Sequence, residues 1–223
     1  MSAQQCLLAT TDPRQTPELN QVFPFTIVPV TYTLPGLTTI RSLIMQGTIY
    51  AMQDRHSGEF ATYSSRTRSP TIRVGFSDFG TDSDTRESRK GLLLHECIHA
   101  LQDNRAATWM RVDTAEAAAY TAQCLFHRAC GRTRGELSGI VAAAWDAADR
   151  IQRSSGRTVA ESDIPGLLSA IRVHATYANE YDRTGRYDGI ERPPQPQPRE
   201  SGGCSVSALG SDSGVRLLRI LGM

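Results

Sequence analysis

The chain is predicted to fold as an α+β domain, a small antiparallel sheet followed by mainly helical sequence. Three observations predict this. Short runs rich in β-branched and aromatic residues all lie before residue 77 of the 223. Beyond residue 82, apolar residues recur at helical spacing in long blocks that begin at Asp, Ser or Thr and stop near Gly. A hydrophobic fraction of 39% supports one core of ordinary size, and the length suits one domain rather than two large ones.

Taken in order, Met1 to Asn20 carries turn formers and little periodicity, and reads as a flexible arm (1–20) before a domain of 21–192. Phe23 to Thr33 is β-rich but broken by Pro24 and Pro29, which suits an edge or irregular strand. Thr38 to Asp54 spaces Ile40, Leu43, Ile44, Ile49, Tyr50 and Met52 as a helix would. Glu59 to Ser64 and Pro70 to Phe76 then form a hairpin across a polar turn. A helix capped by Asp82 or Ser83 should run to about Asn104, and another from Asp113 or Thr114 to a stop at Gly131. Two more follow, Arg134 to Arg153 and Ile164 to about Tyr181. From residue 193 the composition turns to Pro, Ser and Gly, a linker and tail (193–223) ending in the apolar and basic Val215 to Met223.

Charge and cysteine usage narrow the function. The 24 Lys+Arg against 23 Asp+Glu leave a net charge of +1, which argues against a nucleic-acid binder held by counterion release. No run is apolar enough to span a membrane, and the first residues show no secretory signal, so the chain is expected to be cytoplasmic as made. Five cysteines without a C-x-x-C pair argue against a disulfide framework or an all-cysteine zinc site. Cys97 is expected in the core, and His56 in a solvated loop.

The strongest signal is His95-Glu96-Cys97-Ile98-His99, the pattern H-E-x-x-H. On a helix its two imidazoles stand one turn apart on one face, where both can reach one metal ion, Zn²⁺ being the ion expected. Glu96 beside them can take a proton from a metal-activated water as general base. The flanking Leu92 to Leu94, Cys97, Ile98, Ala100 and Leu101 let the rest of the helix be buried. A catalytic zinc needs a third protein ligand, and Glu116, 17 residues after His99 near the start of the next helix, is the choice, with Asp113 in reserve. Its neighbours are nearly all alanine, which allows close helix packing. Tyr120 and Gln123 share its face and could orient ligands or meet substrate. For transition-state stabilisation the candidate donors are Tyr120 and His174, with Tyr177 and Tyr181 on the same predicted face as His174. His127 lies roughly on the ligand face but three turns from Glu116.

Leu92 to Asp103 resembles the active-site helix of the zincin metallopeptidases, and Glu116 is placed like the third ligand of their gluzincin branch. The resemblance covers about 35 residues. It implies a zincin-like domain, a zinc-dependent endopeptidase, a protein or peptide substrate, and an edge strand that pairs with substrate, which Thr71 to Phe76 would supply here. The metzincin pattern is absent, since Gln102 and Arg105 stand where its Gly and last His would be. Tyr120 occupies the place of the aspartate that thermolysin-like gluzincins carry four residues after the ligand glutamate. The small size and compact spacing look more like short bacterial effector or toxin-type zincins, which adds export by a specialised secretion system to the expectations. Two rivals stand beside this reading: a zincin-fold protein that binds zinc without turnover and acts in protein interaction, and a metal-free helical module that docks through Val215 to Met223.

Overall fold

The computed structural model describes residues 1–54, 60–65, 69–135, 137–184 and 189–190. His56, the Pro-rich linker and the Val215 to Met223 tail lie outside them. Among the described residues are seven α-helices and two three-stranded sheets, an α+β fold.

The N-terminal residues are not a loose arm. Ser2 caps α1 (Ala3–Thr10) by accepting from the Gln5 amide while the Gln5 side chain accepts from the Ser2 amide, and the helix buries Cys6 and Leu7. A single turn, α2 (Leu19–Val22), buries Leu19 and Val22. The stretch expected as one irregular strand is a hairpin, β1 (Phe25–Ile27) against β2 (Val30–Tyr32), with Phe25 opposite Tyr32. Thr33 then caps α3 (Leu34–Met45), accepting from the Gly36 amide with Pro35 in the first turn.

The helix expected over Thr38 to Asp54 therefore starts earlier and ends sooner. Gly47, at φ +70°, turns the chain, and Tyr50–Gln53 becomes β3 because its backbone pairs with a later strand. That strand, β5 (Thr71–Val74), also pairs antiparallel with β4 (Ala61–Ser64), as the hairpin reading expected. The parallel β3 makes the sheet mixed, in the order β3-β5-β4. Thr71 to Phe76 is thus a correction: β5 is the middle strand, both of its sides are occupied, and it cannot take an added strand.

The helical half follows the sequence closely at its centre. Asp82 caps α4 (Ser83–Asn104) through the Thr85 amide, and α5 (Val112–Ala129) follows after a short reversal in which Ala106 takes φ +48°. Next come α6 (Gly139–Arg153), β6 (Thr158–Val159), which pairs parallel with β1, and α7 (Pro165–Val173). The last helix was expected to reach Tyr181. It stops at Val173 because His174 takes an extended conformation, and the chain continues in turns.

From Gly91 to Asp103 every residue of α4 is buried, as expected of a helix whose apolar residues lie all round it. Alanines 115, 117, 118, 119 and 122 of α5 are buried and let its backbone approach α4 closely. No described helix is long and apolar enough to cross a membrane.

Candidate metal centre

The two central helices run antiparallel, Gln102 contacting Ala115 at one end of the seam and Arg132 contacting Ser88 at the other. That arrangement carries Glu116 back across His95 and His99. The histidine Nε2 atoms are 3.1 Å apart, and each lies 3.4 Å from Glu116 Oε2. Their exposures are 0%, 4% and 1% for His95, His99 and Glu116. Among the described residues this is the group of His, Cys, Asp or Glu side chains whose ligand atoms converge closely enough for one ion.

No family model, curated protein or solved structure matches the chain. The zincin resemblance accordingly rests on Leu92 to Asp103 and Glu116.

The donor set fits zinc. Two imidazole nitrogens and a carboxylate oxygen are ligands of the kind zinc takes, and a cation between them would offset negative charge held in a dry interior. Burial pushes the Glu116 carboxyl up, but the charge of His99 and the hydrogen bonds and charge of the two histidines outweigh it and hold it well below its ordinary range. Glu116 therefore stands ionised among them.

Two tyrosines support this carboxylate. Burial, reinforced by the charge of Glu116, raises both Tyr177 and Tyr120 above the ordinary tyrosine value, so each hydroxyl keeps its proton. Tyr177 donates to Glu116 Oε2 at 3.1 Å, and Tyr120 is left to donate to the Tyr177 oxygen at 3.3 Å. The Tyr120 ring also packs edge-on against His95, centroids 4.5 Å apart. Tyr120 thus lies beside the cluster. His174 does not: it is exposed at the end of α7, and the structure brings Tyr177, 3% exposed, to the site in its place. The early end of the helix removes the shared face on which His174 was chosen.

Glu96 is 2% exposed, and its Oε2 accepts from the Tyr63 backbone amide of β4 at 2.7 Å. The Tyr63 hydroxyl donates to Asp103 at 2.5 Å, seven residues further along the same side of α4, so one strand residue holds this helix at two points. No local pattern in the sequence announces Tyr63. Asp113, the reserve ligand, is instead paired with Arg111 and Arg172. Gln123 and His127 face Gly91, a turn away from His95. Cys97 is fully buried, and burial raises its thiol, in keeping with a core role.

Proposed function

We propose that the chain is a zinc-dependent metalloendopeptidase, with His95, His99 and Glu116 holding the metal and Glu96 as general base. The observation that supports this most is the convergence of Glu116 from α5 on the two histidines of the H-E-x-x-H helix. Zinc bound there would supply Lewis acidity, bringing the pKa of a water in its open position down to about 7. Glu96 takes a proton from the attacking water and passes it to the departing amine. The Tyr63 amide, which donates to Glu96 Oε2, fixes the orientation of the carboxylate. Tyr177 holds Glu116 in place and Tyr120 supports Tyr177, and either hydroxyl would donate to charge that develops in the transition state only by turning from its present acceptor. A protein or peptide substrate suits a chain with a net charge of +1 better than a nucleic acid does.

Burial favours a second reading. All three donors are at most 4% exposed, as in a closed structural site, so a protein that binds zinc without turnover and acts in protein interaction is the alternative. The Glu96→Gln variant separates the two. On the peptidase reading, zinc-loaded protein cleaves members of a quenched-fluorescent peptide library, and Glu96→Gln abolishes cleavage while zinc stays bound. Unchanged cleavage by the variant would overturn the mechanism, and no cleavage by wild type would favour the non-catalytic reading.

A further inference from the structure

Gln102 is fully buried three residues after His99, and both ends of its amide are engaged. Its Oε1 lies 3.0 Å from His99 Nδ1, while its Nε2 lies 3.1 Å from the Ala115 carbonyl and 3.1 Å from the Tyr32 hydroxyl. A backbone carbonyl can only accept. The amide edge facing Ala115 must therefore be the NH₂ group, and the atom facing His99 must be the carbonyl oxygen. That oxygen in turn can only accept, so the proton of a neutral His99 sits on Nδ1. Nδ1 thus keeps its proton, and Nε2, which faces His95 Nε2 and Glu116 Oε2, is the ring atom that a metal ion would take.

We infer that Gln102 is a positioning residue of the metal centre: it locks His99 in the tautomer that can ligate a metal, and through the Ala115 carbonyl it ties the peptide next to Glu116 to the same side chain. The inference rests on the metal-centre reading above. One buried amide thereby sets both the protonation pattern of the second ligand and the seating of the third, although the two stand on different helices. Partners of this kind, on the far nitrogen of a ligating histidine, raise its basicity and fix its ring. His95 differs, because its Nδ1 is buried with no hydrogen-bond partner among the described residues, so that only the groups facing its Nε2, His99 and Glu116, bear on its tautomer.

The test is long-range ¹H–¹⁵N NMR of the histidine rings in the full-length, metal-free protein, combined with zinc titration against a competing chelator. His99 should carry its proton on Nδ1 in the wild type. Gln102→Leu should let the Nε2–H form of His99 appear and weaken zinc binding by about 10- to 100-fold. Gln102→Glu, which keeps an acceptor facing Nδ1, should retain the wild-type tautomer and lose less affinity than the Leu variant. A wild-type His99 protonated on Nε2 would overturn the role of Gln102 without any variant needing to fold. So would a Leu variant that keeps both the tautomer and zinc affinity within about twofold of wild type, well short of that range. Failure of the wild type to bind zinc would instead overturn the metal-centre reading, which the tautomer measurement does not depend on.

Discussion

The seam between α4 and α5 buries histidines in two places that differ in what faces them. At His95 and His99 the facing group is a carboxylate, Glu116, held ionised. One turn earlier along α4, His127 packs over Gly91 and its Nδ1 lies 2.9 Å from the Arg132 guanidinium. A guanidinium can only donate, so Nδ1 is the acceptor there and His127 is neutral. Burial first, and then the charge of Arg132, push its pKa down to about 4. Burial is common to both places. The charge opposite makes one of them fit a cation and turns the other into a packing histidine that excludes one.

Glu116→Gln should collapse this contrast with the largest effect. It keeps the size of the side chain and an oxygen but removes the charge, so zinc affinity should fall by more than the roughly 100-fold that losing a supporting partner costs. Titration against a chelator measures it, and a loss below about tenfold would mean that charge is not what distinguishes the two places.

Gly91→Ala probes the other place. A Cβ there would come within 2.3 Å of His127 Nε2 and 2.9 Å of its Cδ2, so the ring or the helix must shift, at a cost of about 1–3 kcal/mol. Adding His127→Ala should recover part of that loss in urea unfolding. Strict additivity of the two substitutions would show that the ring does not set the spacing of the helices.

The pH dependence of stability sharpens the comparison from the His127 side. Its folded pKa, about 4, lies below the ordinary histidine value of 6.5, so as pH falls the unfolded chain takes up the proton first. Stability from this residue is whole above pH 6.5 and is lost as pH falls toward 4, amounting to about 2 kcal/mol between pH 7 and 5. A His127→Gln variant should lack that part of the slope in denaturant unfolding at the two pH values. An identical slope in wild type and variant would mean that His127 is not held neutral by the fold.

What the sequence disclosed was mostly local. The extents of α4 and α5 follow from helical periodicity, the Asp82 cap and the stop near Gly131, and the facing of His95 and His99 follows from their spacing on one helix. Glu116 was legible because a short connection followed by an alanine-rich helix leaves few ways to pack. β3 was not, since the pairing of Tyr50–Gln53 with Thr71–Val74 is a tertiary event that overrides a helix-like pattern. The Ser2–Gln5 capping box could have been read from the first residues. Tyr63 acts on Glu96 through its backbone amide, which no side-chain pattern encodes. Tyr177 stood among the candidates, but its advantage over His174 depends on where α7 ends.

The most direct test of the central claim, that His95, His99 and Glu116 hold one zinc ion, is zinc content per chain in full-length protein purified without chelator. The account predicts about one zinc per chain, removed together with stability when a chelator is added. Protein that carries no zinc, even after zinc is supplied, would contradict it.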